Sequence, residues 1–549
     1  MSTVVARKAV PLRRPRADGL RWLAGLVAVV GAGNAIVLLA QARDLVHGLY
    51  LNADNAAAFV LPALAGQAPK GAVVNLGNHP WYEPWWLMRA TVGLPHYRAL
   101  WEAAPFVFTL LAMAIIALGA TWALGRMAGL LSAVALIAGS ETLRGILLVP
   151  ESHGALMLHT ALLCGGLLVV HRALMSARRP LLVEILVGAP LAIVTAAGAT
   201  DQLLLFGGVA PFALAPLLCW LRTHSRVWRE VSIFAVVVAV VSVVGASVLS
   251  NAMQEQGVIH APFPIDFATT EALFTNLGNT LGAFAALGGG AFFGQPASGS
   301  TFFTAVSGLL ILTALGAVLH VLWRRLRAGE VTAADELRAV GRRELFTAYW
   351  ALVLVVVLLS FALTSVGGGG IGNSRYVIAG WGALAALLGV LAGSRRSTAI
   401  VLAGVAAFAA LNMRAELASG VQPAGLGPSQ RLAGEIERFA LAHGARIGYS
   451  GYWEAAPLTW ETRLELEVRP VGPCPAPADI CTFSGNYISS WYRATPGIRT
   501  FLVVDASGVP DEIWAPPAKL GHPLAAMVFA GGYSVYVFNH DLAANLSTQ

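Results

Sequence analysis

Charge is what this sequence has least of. Asp, Glu, Lys and Arg make up 12% of its 549 residues, against 57% hydrophobic residues and a mean hydropathy of +0.68, and a water-soluble chain of this size needs far more polar surface. The formal charge of +7 therefore does not point to nucleic acid. In a membrane protein the placement of Lys and Arg reports orientation instead. A small-residue cleavage site is missing behind the first apolar segment, so the basic stretch MSTVVARKAVPLRRPRADGLRW reads as the lead of a retained span and not as a signal peptide. No internal repeat is visible, which argues against a transporter built from duplicated halves.

What the chain does contain is a series of apolar runs between residues 20 and 414, each of about 18 residues or more and long enough to cross roughly 30 Å of hydrocarbon as a helix. The runs are continuous and do not alternate, so helices are expected and not a barrel. Eleven spans are predicted, near 22–41, 105–124, 127–149, 154–171, 181–198, 202–221, 231–250, 301–323, 346–364, 376–393 and 397–413. With the N-terminus in the cytoplasm, the cytoplasmic segments hold twenty-one Lys and Arg, whereas the opposite loops hold only Arg43, Lys70, Arg89, Arg98 and Arg375. That bias fixes the expected orientation. An odd number of spans then puts residues 415–549 outside the cytoplasm, as a small α/β domain behind a membrane domain of residues 1–414. Its helical pattern is SQRLAGEIERFALAHG, and its strand-like runs are ARIGYSG, RLELEVRP, TFLVVD and YSVYVFN.

Four cysteines leave little room for metal or disulfide chemistry. Cys164 and Cys219 fall within spans as small packing residues. Cys474 and Cys481, in CPAPADIC, are expected to close a short loop as a disulfide in an oxidising compartment. Two cysteines without a nearby histidine make half a zinc site at best.

Both large loops, 42–104 and 251–300, share the expected side of the tail, which favours a reaction or recognition event there. The first is crowded with Trp81, Tyr82, Trp85, Trp86, Tyr97 and Trp101. It reads as one or two helices lying on the bilayer, either a plain aromatic anchor or a floor for a lipid-borne substrate. The second is Gly-rich and apolar, as a re-entrant segment or a lid would be.

Several residues on that side are able to carry chemistry. Asp54, a dozen residues beyond the first span, suits a general base acting on a hydroxyl, although Asp54 and Asn55 also suit the cap of a helix through Leu64. Glu151 and His153 open the fourth span, where an ionisable group is a functional hypothesis and a helix-dipole partner is the plain alternative. Glu141 and Arg144, three apart in the third span, read as a structural ion pair. Asp201 reads as a helix cap or a headgroup contact. Arg375 and Tyr376 enter the tenth span from outside, and an Arg at that depth offers a planar fork to a phosphate, or else snorkels. His79 and Glu83 are further loop candidates.

Taken together, the acid Asp54 in the first loop, the His79-Pro80 pair, Glu151 at the fourth span, the Arg375-Tyr376 pair and the soluble tail with YSGYWEAAPLTWET resemble the GT-C class of membrane glycosyltransferases. The resemblance is to the branch that includes the protein mannosyltransferase and aminoarabinose transferase families. It implies a GT-C-like all-α bundle, a donor sugar on a polyprenyl phosphate, an inverting transfer and a multi-pass place in a bacterial plasma membrane. It also implies Asp54 as base, Arg375 on the departing phosphate and Glu151 as a second acid near the acceptor. The acceptor would be an envelope glycan, lipid or protein. No nucleotide-sugar site is needed. Members with paired first-loop acids often show Asp-Glu, and Asp54-Asn55 here leaves a divalent cation an open expectation. A transporter or flippase of a lipid-linked substrate and a non-catalytic assembly protein are the competing classes; transport predicts ionisable residues deep in several spans.

Overall fold

Helices account for most of the chain because its apolar runs must satisfy their own backbone hydrogen bonds away from water. The structure, a computed structural model, describes residues 18–46, 53–77, 82–147, 154–176, 180–260, 265–328, 337–419, 430–474, 479–505 and 518–547. Along the membrane part run α1 (Asp18–Val46), α2 (Ala53–Ala65), β1 (Val74–Asn75), α3 (Tyr82–Thr91), α4 (Tyr97–Leu124), α5 (Arg126–Ile137), α6 (Glu141–Leu147), α7 (Gly154–Ser176) and α8 (Pro180–Gly198). A short α9 (Gln202–Leu204) continues through a π-helical turn into α10 (Ala210–Thr223). Then come α11 (Arg226–Glu255), β2 (Val258–Ile259), α12 (Thr270–Leu287), α13 (Gly299–Ala328), α14 (Leu337–Leu363), α15 (Ile378–Leu387) and α16 (Arg395–Ser419).

Among the described residues ten helices are long and apolar enough to cross a membrane, or eleven if one bent pair counts as a span. Their outward faces stay apolar, with Leu118, Leu186, Val240, Ile193 and Leu309 exposed, which is the surface that lipid covers. This part of the chain is thus an all-α integral membrane bundle. The bent pair is the expected third span: α5 and α6 meet at 89°. Ser140, in the break, donates its hydroxyl to the carbonyls of Ala286 and Leu287 at 3.0 and 2.7 Å. The break is therefore a joint to α12, made by a partner far away in sequence.

Helix α12 belongs to the middle loop, and its last five residues, Ala283 to Leu287, are all buried. Beyond it, Gly290 lies against Gly308, where a Cβ would come within 2.2 Å of backbone. Gly308 stands nine residues inside α13, so the α12 end reaches about 14 Å along that helix. The carbonyl of Gly288 accepts from Ser307 at 2.7 Å and from Asn412 at 3.3 Å. The described part of this loop is thus a helix whose C-terminal end is buried in the bundle.

In the tail, α17 (Gln430–Ala442), β3 (Ile447–Ser450), α18 (Tyr452–Glu461), β4 (Glu467–Pro473), β5 (Ile480–Thr482), β6 (Tyr487–Ile488), β7 (Thr500–Asp505), β8 (Ala525–Val528) and β9 (Tyr533–Phe538) form an α/β unit. Its six-stranded sheet has the order β5-β4-β3-β7-β9-β8, with β3 parallel to β4 and β7 and the other pairs antiparallel. The expected helix and strands are present; α18, β5, β6 and β8 are additions. Cys474 and Cys481 form a disulfide that closes the β4–β5 hairpin, their Cα atoms 5.1 Å apart. For a loop this short the chain-entropy contribution is about 2–3 kcal/mol. Reduction, or Cys474→Ser, is expected to lower the tail's unfolding midpoint by a matching amount in denaturant titrations of the full chain.

The tail is bound to both large loops. Strand β1 of the first loop pairs in parallel with β2, and antiparallel with β6 of the tail. Asp266 accepts from the backbone of Ser365 at 2.8 Å, which brings the segment after α14 to the same end of the bundle. Both loops and the Gly-rich stretch at 365–377 thus lie at the tail end.

Candidate functional site at the tail end of the bundle

Helix α2 is held between the tail and the first loop. Phe59, Leu61, Trp85 and Trp101 are buried in one cluster with Trp460 and Trp491 of the tail, and the Phe59 and Trp460 rings are 4.8 Å apart. Trp85 and Trp101 therefore do not anchor in lipid, because the tail supplies the apolar cover that the bilayer was expected to supply. Trp101 also belongs to α4, which starts at Tyr97, well before the expected start of that span. Trp86 remains exposed. Arg89 donates to the Pro62 carbonyl at 3.2 Å, tying α3 to the far end of α2.

Asp54 is the second residue of α2, and Asn55 the third. The residues just before Ala53 and the side chains of Asp54 and Asn55 lie outside the described structure, and with them the capping role expected for Asp54. Glu83 is the second residue of α3. His79, Glu151 and His153 lie outside the described residues. Asp201 caps α9, its Oδ1 accepting from the Leu203 amide at 2.8 Å.

Arg375 and Tyr376 sit near the end of the 3₁₀ segment Ser365–Val377, which turns back at Gly370 with φ 61° and ψ −143°. Two asparagines of α12 fix this segment: Asn276 donates to the Thr364 carbonyl at 2.9 Å and Asn279 to that of Gly367 at 2.8 Å. Gly367 is needed here, since a Cβ would fall 2.3 Å from the Phe361 carbonyl and 2.8 Å from Asn276. Asn373 closes the turn on the Val366 carbonyl at 2.7 Å. Sequence reasoning missed Asn276 and Asn279; the signal was NLGN, two amides three apart on one helical face.

On that support the half-buried Arg375 donates to the Tyr376 hydroxyl at 3.2 Å, with its guanidinium carbon 5.0 Å from the Tyr376 ring centre. Its Nε is buried without a hydrogen-bond partner. No carboxylate pairs with Arg375 among the residues whose side chains are described. Such a fork, prepositioned and short of an acid, suits an oxyanion. The Gly-rich segment packs on α12, α14 and α15, whereas α2 packs on α3, α18 and β6. The two halves of the expected site therefore share an end of the bundle without packing extensively on each other. Among the described residues no cluster of His, Cys, Asp and Glu is arranged to hold a metal.

A solved structure aligns along nearly the whole chain. It is the crystal structure of ArnT from Cupriavidus metallidurans in the apo state, matched over 97% of this chain and 100% of the other with a TM-score of 0.42 and 13% identity. No family model and no curated protein matches the sequence. At that identity the likeness gives no residue a role and carries no substrate across.

Where α18 meets α4, the Trp460 indole donates to Glu102 at 3.1 Å, and Arg98 lies 4.5 Å over the Trp460 ring. The neighbouring Glu461 carboxyl is pushed up to about 7 by burial and by Glu102, against the pull of Arg98. The folded state therefore holds this proton more tightly than the unfolded chain, so the stability of tail docking falls as pH rises from about 4.5 to about 7. Glu461→Gln is expected to flatten that slope in melting curves taken across the interval. An unchanged slope would remove Glu461 as its source.

Proposed function

We propose that this protein is a membrane glycosyltransferase that moves a sugar from a polyprenyl phosphate to a hydroxyl of an envelope glycan, lipid or protein. In this reading the tail faces the periplasm of a bacterial plasma membrane and the N-terminus faces the cytoplasm, as the Lys and Arg distribution favours. One observation carries the proposal: a half-buried Arg375, fixed by a glycine turn and two asparagines, without a described carboxylate partner, at the end of the bundle where the loops and tail gather.

The chemistry is a single displacement. The acceptor oxygen attacks the anomeric carbon, its proton passes to the Asp54 carboxylate, and the bond from that carbon to the phosphate oxygen breaks with inversion. The departing phosphate gains charge as it leaves, and a preorganised cation such as Arg375 lowers that barrier. Glu151 is assigned to the acceptor in this scheme, with His153, His79 and Glu83 as further candidates to bind it. Dependence on a divalent cation is tested by chelation in the same assay.

The break between α5 and α6 favours a second reading, since transporters use discontinuous helices. The break is, however, sealed by Ser140, which donates to the carbonyls at the end of α12, where Ser307 and Asn412 occupy the next one. The experiment supplies purified protein with labelled polyprenyl-phosphate sugars and an envelope acceptor extract. Label in the acceptor supports transfer; no transfer with any donor, together with donor movement across proteoliposomes, supports a flippase.

A further inference from the structure

The end of the bundle opposite the tail carries an arrangement that sugar transfer does not use. Arg172 near the end of α7 and Arg342 near the start of α14 both lie over the ring of Trp122 in α4, each guanidinium carbon 5.5 Å from the ring centre. The two cations are therefore no more than twice that distance apart, on helices that pack against one another. Like charges so placed repel unless an anion lies between them. No carboxylate pairs with either among the residues whose side chains are described. Among the described acids at this end, Glu344 faces Arg222 and Arg325, Glu230 pairs with Arg226 at 2.7 Å, and Glu184 lies by Glu230.

A second observation comes from the residue beside Arg172. His171 is 2% exposed and packs against Trp228 with ring centres 4.8 Å apart, and its Nδ1 has no hydrogen-bond partner. A Cβ on Gly341 would lie 3.0 Å from His171 Nε2, so α14 runs close to α7 here and holds Arg342 beside the histidine. The surroundings indicate where the anion comes from. One turn deeper in the bundle, Leu118 of α4 and Val169 of α7 are exposed apolar side chains, while Trp122 is of the type that prefers headgroup depth. Two cations over an indole, with an apolar track directly below, match a phosphate joined to acyl chains and not a phosphate in solution.

We propose that Arg172, Arg342 and Trp122 form a binding site for the headgroup of an anionic glycerophospholipid, with its acyl chain along Leu118 and Val169. Basic pockets between spans hold such headgroups by charge and by hydrogen bonds to the phosphate. The site is independent of the transfer reading, and either can fail alone.

The test uses the full-length chain in mild detergent with equal amounts of phosphatidylglycerol and phosphatidylcholine, and counts retained lipids by native mass spectrometry. Wild type is expected to retain phosphatidylglycerol in preference. Arg172→Gln with Arg342→Gln should weaken that retention about thirty-fold, whereas Arg395→Gln with Arg396→Gln, which removes equal charge from the same end, should leave it. If the double variant does not fold, each single variant should lose about five-fold. The proposal is overturned by equal retention of both lipids in wild type or by an equal loss in the control. It is also overturned if inorganic phosphate displaces phosphatidylglycerol, which would make the ligand a soluble anion.

Discussion

Asp54→Asn should lower sugar transfer by about 10²- to 10⁴-fold, the range lost when a positioned general base is removed, with donor binding little changed. The amide keeps the size of the side chain and cannot take the acceptor proton. Azide needs no deprotonation, so it should restore turnover in the variant while doing little for wild type. That rescue separates a missing base from a misfolded chain. An Asp54→Asn protein as active as wild type would remove the residue as the base.

Arg375→Gln should cost about 10²- to 10³-fold in turnover, the usual loss on removing one group that stabilises developing negative charge. The effect should fall mainly on kcat, because charge accumulates on the phosphate as the bond to the sugar breaks. Arg375→Lys should recover part of the loss, since it keeps the charge but not the planar fork. A change confined to KM would mean that Arg375 holds the donor equally in the ground state and the transition state. Asn276→Ala offers a control of the support: it leaves the Thr364 carbonyl without its amide donor and should loosen Arg375 with a smaller loss of rate.

The membrane part was legible in the sequence because a span announces itself by length and apolarity alone. Each described span overlaps an expected one. The 89° break after Ile137 was not legible, since no proline marks it and its cause is the Ser140 hydroxyl on the α12 carbonyls, 146 and 147 positions away. Arg144 shows the same limit. Its place beside Glu141 suggested a pair within one helix, yet Arg144 also pairs with Glu416 of α16 at 2.7 Å and donates to Gln41 of α1 at 2.8 Å. Helical spacing reveals neighbours on one helix and nothing about a third helix beside it.

The candidate site was legible in its parts. Arg375 stood out as a basic residue on a face that has few, and the structure adds the glycine turn and the asparagines that hold it. The aromatic stretch of the first loop was assigned to lipid because Trp prefers the interface. Trp85 and Trp101 instead pack beneath Trp460 and Trp491, a cover that becomes visible only when the tail is placed. The tail is thus more than an appendage on the bundle, since it fixes the helix that carries Asp54.

The central claim is that a polyprenyl phosphate is received at the tail end of the bundle, with its phosphate at Arg375. The most direct test is photolabelling of the purified full chain with a polyprenyl phosphate bearing a diazirine near the phosphate, followed by peptide mapping. Label is expected in α12 and in the segment Ser365–Val377, lost on competition with unlabelled polyprenyl phosphate and reduced in Arg375→Gln. Label confined to the end opposite the tail, or left unchanged by Arg375→Gln, would contradict it.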